Sequence, residues 1–160
     1  MAAEKADALE TAYRLHHLAV LRSLALVCRK QEVAEDIVQE AFLRAQSKLP
    51  AIPTERWRAY LYRTAFNLWR NWLRRFALET RHSLTPEPDR SDLDTHDERD
   101  ALWRALLRLG SRQRACLVLK YYEDLPESDI AAILDCSVGT VKSQTSRGLH
   151  RLRKELGDGT

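Results

Sequence analysis

The stretch that most constrains the fold is residues 56–76, RWRAYLYRTAFNLWRNWLRRF, which contains no Gly or Pro to interrupt a helix. It holds seven of the chain's twelve aromatic residues and six arginines. At about 100° per residue the stretch resolves into two faces. The apolar stripe comprises Trp57, Leu61, Ala65, Leu68 and Trp72. The opposite face comprises Arg56, Arg63, Phe66, Asn67, Arg70 and Arg74.

This basic aromatic stretch permits two interpretations. Arginines that hold phosphates, beside exposed rings that stack on bases, are typical of a groove for single-stranded nucleic acid. In that interpretation Phe66 is exposed and stacks on a base. The alternative is an ordinary amphipathic helix whose basic side is solvated. Taken alone, the stretch fits both.

Composition and charge bound the fold class. Only five Gly and five Pro occur in 160 residues, between long helix-forming runs. This favours an all-α fold of one domain or two small ones. The net charge of +3 is unevenly spread: residues 55–76 sum to +5, residues 140–156 to +4 and residues 81–100 to −4. Two basic blocks around an acidic one predict two separate anion-binding surfaces.

Helical periodicity divides the chain into two parts. It disappears over residues 79–97, where prolines, serines and acids indicate a flexible acidic linker. We therefore predict domains at residues 1–78 and 98–160. In the first domain, helices are expected at residues 6–29 and 33–49. On the second of these, Glu35 and Asp36 suit the helix dipole, whereas Gln39 and Glu40 lie beyond the first turn and need another explanation.

The second domain contains the pattern of a helix-turn-helix. A short helix at residues 127–134, a three-residue turn and a helix at residues 138–156 have the spacing of this motif. Asp135 tolerates the left-handed backbone that such a turn often needs. The outward side chains in the first half of the last helix are of types that read base edges: Lys142, Ser143, Gln144, Ser146 and Arg147. The alternative is an αα-hairpin with a solvated basic face.

Several classes of protein are disfavoured. Cys28, Cys116 and Cys136 lie far apart in no metal-ligand spacing, so we expect small buried thiols and neither a metal site nor a disulfide. The chain has no Gly-rich phosphate loop and no nucleophile constellation, so we expect neither an enzyme nor a cofactor. No apolar run approaches the roughly 20 residues that span a bilayer, and the N-terminus lacks the apolar core of a signal peptide. We therefore expect a cytoplasmic protein.

The order of these parts resembles one family, the extracytoplasmic-function sigma factors. Residues 35–45, EDIVQEAFLRA, resemble the family's core-binding segment in region 2. Residues 58–68, RAYLYRTAFNL, with WLRR at 72–75, resemble the segment that melts and reads the minus-ten promoter element. DIA at 129–131, VGTVKS at 138–143 and Arg147 resemble the region 4 helix-turn-helix. The sequence departs from the family pattern at Phe66, where a polar or basic residue is common.

The resemblance implies a role for each group of residues. Asp36, Gln39 and Glu40 would contact core RNA polymerase, and the loop at residues 48–53 would hold a flipped-out minus-ten base. The melted strand would follow Lys48, Arg63, Phe66, Asn67, Arg70 and Arg74. The minus-thirty-five duplex would meet Lys142, Ser143, Gln144, Ser146 and Arg147.

The implied function is that of an alternative sigma factor, with promoter DNA and core polymerase as partners and an anti-sigma factor as a possible third. A homodimeric helix-turn-helix regulator that acts without polymerase is the alternative. Residues 56–76 argue against it, because binding duplex DNA does not require them.

Overall fold

The computed structural model describes residues 2–79 and 98–157, in which seven α-helices and no strand are found. The predicted all-α fold is confirmed for these residues. Contacts divide the chain into two compact units, Met1–Ala25 with Gln31–Thr85 and Leu26–Lys30 with Pro86–Thr160. Residues 80–97, which make up nearly all of the predicted linker, lie outside the described residues.

Three helices build the first unit, with short 3₁₀ turns at Leu49–Ala51 and Thr54–Arg56. They are α1 (Ala2–Val27), whose last two residues are counted with the second unit, α2 (Gln31–Ala45) and α3 (Trp57–Glu79). Helix α2 ends four residues before the predicted position 49. After it the chain forms the 3₁₀ turn Leu49–Ala51, in which Pro50 lacks the amide hydrogen that a continuing α-helix would need.

The core of the first unit is mainly the contact between α2 and α3. The buried side of α2 consists of small and apolar side chains: Ala34, Ile37, Val38, Ala41, Phe42 and Ala45. On α3, Trp57, Leu61 and Ala65 are buried as predicted. Tyr62, Phe66 and Trp69 are buried as well, whereas Leu68 and Trp72 are half-buried.

The predicted exposure of Phe66 is therefore wrong, since its side chain is 0% exposed. The Phe66 ring stacks on Tyr62 at 6.4 Å between centroids and meets Trp69 edge to face at 5.8 Å. These rings widen the buried arc of α3 to about half of the helix circumference at 100° per residue. Phe66 lies at one edge of that arc. The predicted stripe, which begins at Trp57, covers only the other edge.

Four helices build the second unit. They are α4 (Glu98–Leu107), α5 (Ser111–Leu117), α6 (Glu127–Leu134) and α7 (Val138–Gly157), and a π-helical turn, Val118–Tyr122, continues α5. Tyr122, the last residue of this turn, is 52% exposed. The wide turn explains the exposure, because one residue more than an α-turn rotates the following side chains away from the apolar face. Its hydrogen bond from the Glu123 amide to the Val118 carbonyl measures 3.1 Å.

A buried guanidinium ties together the second unit, to which the short segment Leu26–Lys30 belongs. Arg114 on α5 is 2% exposed. Its Nε donates to the carbonyl of Val27 at 2.7 Å and its Nη1 to that of Leu109 at 2.9 Å. Burial lowers the pKa of Arg114 to about 10, so it remains charged at neutral pH. A buried charge is tolerated when hydrogen bonds satisfy it, and here backbone carbonyls do so.

The thiols are positioned largely as predicted. Cys28 and Cys116 are buried, and Cys136 is half-buried. Burial raises the pKa of Cys28 to about 12 and that of Cys116 to about 11, so both stay protonated at neutral pH. Among the described residues, no helix combines the length and the apolar character that crossing a bilayer requires.

Candidate nucleic-acid interfaces

The polar face of α3 brings together four of the side chains predicted to bind a single strand. Arg63 and Arg74 are exposed, and Asn67 and Arg70 are half-buried. Arg70 donates a hydrogen bond to the Asn67 side-chain oxygen, which holds the two side chains in one row. No acidic residue occurs in α3 before Glu79, its last residue. The face is therefore a continuous cationic surface suited to phosphates.

Phe66 is absent from this surface. Since it lies in the aromatic core beneath, it cannot stack on a base while α3 stays packed. Half-buried rings occur instead near the end of the helix, where Trp72 stacks on Phe76 at 5.0 Å between centroids. The sequence assigned Trp72 to the core stripe, so this pair was missed as a candidate for stacking.

A depression of about 400 Å³ opens beside the polar face of α3. Arg44, at the end of α2, and Arg74 and Arg75 of α3 line it together with Leu68 and Asn71. Arg74 is oriented by a hydrogen bond of 2.7 Å to the Asn71 side-chain oxygen. Sequence reasoning missed Arg44 and Arg75 as anion contacts, because their closeness depends on how α2 packs against α3.

The loop at residues 48–53 is anchored to the first residue of α3. The Trp57 indole donates to the carbonyl of Leu49 at 3.1 Å and to that of Ile52 at 2.9 Å. Trp57 and Leu49 are buried, whereas Lys48 is exposed at the edge of the loop. The loop is thus held by two hydrogen bonds from α3 and carries one exposed cation, Lys48.

The outward face of α2 carries the three predicted protein-binding residues. Asp36, Gln39 and Glu40 are all exposed, and Glu40 is ion-paired with Arg44 at 2.9 Å. Gln39 also borders a groove of about 660 Å³ between α1 and α2. Tyr13 and Leu43 line this groove and are 48% and 56% exposed. Both were missed from sequence, because the position of α1 beside α2 is a tertiary feature.

The helix-turn-helix forms as predicted between α6 and α7. Asp135 adopts the left-handed conformation at φ 53°, and the amide of Cys136 donates to the Ala131 carbonyl at 3.0 Å. Ser137 caps α7, since its hydroxyl accepts a hydrogen bond of 3.0 Å from the Thr140 amide. The predicted turn with its left-handed Asp135 is confirmed.

The inner side of α7 fits closely against α5. Val141 and Thr145 are buried, and a Cβ built on Gly148 would meet Leu117 at 3.2 Å. Leu149 and Leu152 pack against a cluster formed by Leu106, Leu109 and Leu117. Leu156, in the last turn of α7, is 38% exposed.

The five side chains predicted to read duplex DNA lie on the first half of α7. Lys142, Ser146 and Arg147 are exposed, and Ser143 and Gln144 are half-buried. The Ser143 hydroxyl donates to the Thr140 carbonyl at 3.1 Å, and the Lys142 ammonium lies 3.9 Å from a carboxylate oxygen of Glu127. The motif therefore presents hydrogen-bonding groups and a positive charge at the end that enters the major groove.

Within residues 2–79 and 98–157, no group of three or more His, Cys, Asp or Glu side chains is arranged to hold a metal ion. The candidate sites in the described residues therefore consist of hydrogen-bonding and charged side chains.

Comparison with protein families gives two matches in chain order. The model of Sigma-70 region 2 matches residues 12–77, and that of Sigma-70, region 4 matches residues 99–152. The RNA polymerase sigma-E factor of Streptomyces coelicolor is 34% identical over 141 residues, which cover 86% of this chain and 80% of that protein. The ECF RNA polymerase sigma factor SigW of Bacillus subtilis is 30% identical over 145 residues, or 78% and 76% of the two chains.

The fold is likewise similar to that of solved sigma factors. The sigma factor RpoE of Bartonella quintana, solved in complex with the anti-sigma factor NepR, matches with a TM-score of 0.75 at 24% identity. The match covers 92% of this chain and 96% of that one. The sequence relatives and the two region matches together identify the family. The chain belongs to the extracytoplasmic-function family of RNA polymerase sigma factors.

Proposed function

We propose that the two units of this sigma factor divide promoter recognition between them. The protein is an alternative sigma factor, which binds core RNA polymerase and directs initiation at specific promoters. In the proposal the first unit holds polymerase and the melted minus-ten strand, and the second unit reads the minus-thirty-five duplex. The domain limits remain residues 1–78 and 98–160, joined by residues 79–97.

Core polymerase is held by the outward face of α2, through Asp36, Gln39 and Glu40. Two features support this assignment. The three side chains are exposed, and Gln39 borders the groove where Tyr13 and Leu43 leave apolar surface uncovered. Carboxylates beside exposed apolar side chains suit a protein surface that is itself basic and apolar, since interfaces combine a buried apolar centre with a polar rim.

The melted minus-ten strand follows the polar face of α3, past Arg63, Asn67, Arg70 and Arg74. Lys48 stands at its edge, on the loop that would receive a flipped base. The observation that carries the proposal is this cationic face, which covers an aromatic core and has no acidic residue before Glu79. A regulator that binds only duplex DNA has no need of a second basic surface in a separate unit.

The minus-thirty-five duplex is read by Lys142, Ser143, Gln144, Ser146 and Arg147. This assignment is supported by their position on the first half of α7, because side chains there reach base edges in a helix-turn-helix. Each unit alone is expected to bind weakly. Joining them raises the effective concentration of the second contact once the first is made.

Polymerase and the chromosome are the targets, so we place the function in the cytoplasm. The protein acts there as a specificity subunit and carries out no catalysis of its own. We also expect an anti-sigma factor to control its access to polymerase.

The test is a titration of bacterial core RNA polymerase with the fluorescently labelled full chain in the absence of DNA. Saturable one-to-one binding is expected, because the assigned face of α2 is accessible in the free protein. Glu40→Arg should weaken binding at least tenfold, since it places a cation against a basic partner. Glu55→Arg is the matched control, because Glu55 is an exposed carboxylate of the same unit that lies in the 3₁₀ turn before α3 and not on α2. Lack of binding by the folded wild-type chain would refute the proposal, and an equal loss in both variants would refute the assignment of the face.

A further inference from the structure

Glu127 connects the two helices of the motif to the turn that precedes them. It is the first residue of α6, and each of its carboxylate oxygens lies near a different lysine. Oε1 accepts a hydrogen bond from the Lys120 ammonium at 3.0 Å, and Oε2 lies 3.9 Å from the Lys142 ammonium. Lys120 belongs to the π-helical turn and Lys142 to the exposed half of α7. One carboxylate therefore serves two cations from different elements.

The two contacts are unequal. The side chains of Lys120 and Glu127 are 31% and 26% exposed, and the hydrogen bond that Lys120 donates to the carboxylate raises the pKa of Lys120. Lys142 is 66% exposed and stands almost an ångström farther away. Solvent screens such a contact strongly, so the pairing of Glu127 with Lys142 is easily exchanged. Lys120 fixes the Glu127 carboxylate, which in turn restrains Lys142 only loosely.

This arrangement treats the two possible DNA partners of Lys142 differently. A backbone phosphate carries a full negative charge, so it competes with Glu127 for the ammonium and is repelled by the carboxylate. The acceptors on a base edge, such as guanine O6 and N7, are neutral and experience far less repulsion. A fixed carboxylate beside the reading lysine thus disfavours phosphate contacts more than base contacts.

We propose that Glu127 is a specificity-determining residue, which directs Lys142 toward base edges by opposing its contact with phosphates. The proposal rests on the proposed reading of duplex DNA by α7. Glu127 itself touches no DNA and acts as a positioning residue through Lys142. Removing its charge is expected to strengthen binding to any duplex and to reduce the preference for the correct one.

The experiment compares Glu127→Gln with the wild-type full chain in two assays. In the first, the free chain is titrated with a labelled 30-base-pair duplex of random sequence at several salt concentrations. Glu127→Gln should bind about threefold to tenfold more tightly, and the plot of log affinity against log salt should steepen by about 1, because one more phosphate is neutralised. In the second, holoenzyme is titrated with a promoter duplex that wild-type holoenzyme has selected from a randomised library. Affinity there should change less than twofold, so the ratio of selected to random binding falls.

Asp129→Asn is the matched control, since Asp129 is an exposed carboxylate in the same turn of α6 and forms no ion pair among the described residues. It removes the same charge and should leave the ratio unchanged. A second control repeats Glu127→Gln in a Lys142→Ala background, where the gain in random binding should disappear. If the gain persists there, or if Asp129→Asn reproduces it, the carboxylate acts only through general charge and the proposal is wrong.

A structural role for Glu127 gives a different result. If the residue only holds α6 in place, Glu127→Gln lowers the melting temperature and weakens random and selected binding equally, which would overturn the proposal. Binding of core polymerase without DNA tests the sigma-factor assignment separately. Loss of that binding in the wild type would count against the proposed function, whereas the random-duplex assay would still test the coupling of Glu127 to Lys142.

Discussion

The two helices proposed to bind DNA, α3 and α7, pack against their units through side chains of opposite size. Helix α3 packs through large rings, and Tyr62, Phe66 and Trp69 are all buried. Helix α7 packs through small side chains at the centre of its buried side, Thr145 and the glycine at 148. A layer of rings keeps the α3 backbone away from its neighbours, whereas the small residues let α7 approach α5 closely.

The difference agrees with what each helix is proposed to contact. A melted strand is flexible, so α3 needs a cationic surface more than an exact helix position, and long arginine side chains provide it. Base edges in a duplex are fixed in space, so α7 needs a defined position relative to its unit. We therefore expect α3 to be sensitive to loss of volume in its core and α7 to be sensitive to gain of volume.

The largest effect is expected from Phe66→Ala. Removing a fully buried ring between Tyr62 and Trp69 should lower the free energy of unfolding of the first unit by about 3–5 kcal/mol. Chemical denaturation measures the loss, and hydrogen exchange of the α3 amides assigns it to this unit. Arg63→Ala is the control on the exposed face and should change stability by less than about 0.5 kcal/mol. Similar losses from the two variants would refute the buried position of Phe66.

Gly148→Val tests the opposite sensitivity in α7. A Cβ at this position meets Leu117 at 3.2 Å and Gln113 at 3.3 Å, so valine overfills the contact with α5. Overpacking of this kind should cost about 1–3 kcal/mol of stability in the second unit. Chemical denaturation measures the loss, and hydrogen exchange of the α7 amides assigns it to this unit.

Gly139→Ala is the matched control in the same helix. Its nearest neighbour would be the Ser137 hydroxyl at 3.8 Å, an ordinary contact. Alanine there should raise stability by about 0.4–1 kcal/mol by restricting the unfolded chain. If Gly148→Val is as stable as the control, α7 does not depend on the close approach.

Sequence periodicity located the helix-turn-helix better than the aromatic helix, and the reason is physical. The start of α7, the left-handed Asp135 and the Ser137 cap depend on local backbone chemistry, which neighbouring residues specify. The buried arc of α3 depends on how many neighbours surround it. A five-residue stripe gave part of that arc and placed Phe66 outside it.

Two other features were beyond the reach of periodicity. The π-helical turn breaks the 3.6-residue period, so the exposure of Tyr122 does not follow from the apolar pattern. The groove that Tyr13 and Leu43 line, and the closeness of Arg44 to Arg75, arise only when separate helices pack. Local patterns predict the elements, whereas surfaces shared by two elements require the tertiary structure.

Arg147→Ala tests whether α7 contacts base edges. If Arg147 makes a bidentate base contact, its removal should cost about 1–3 kcal/mol of holoenzyme binding to the selected promoter and relax the preference at one base pair. Binding is compared on promoters altered singly across the minus-thirty-five element. Arg151→Ala is the control, because Arg151 is an exposed arginine one turn further along α7. An equal loss on every promoter would instead identify Arg147 as a phosphate contact.

The smallest effect concerns how the two helices begin. Ser137 caps α7 by accepting the Thr140 amide, whereas α3 follows a 3₁₀ turn whose N-cap residue, Pro53, forms no side-chain cap. Thr54 lies inside that turn, and the Trp57 indole fixes the preceding loop. Ser137→Ala should therefore cost about 1 kcal/mol of stability in the second unit. Thr54→Ala should change the first unit by less than about 0.5 kcal/mol, because no capping bond is lost. Equal costs at the two positions, measured by denaturation of each variant, would mean that both helices depend on a hydroxyl cap and that only their packing distinguishes them.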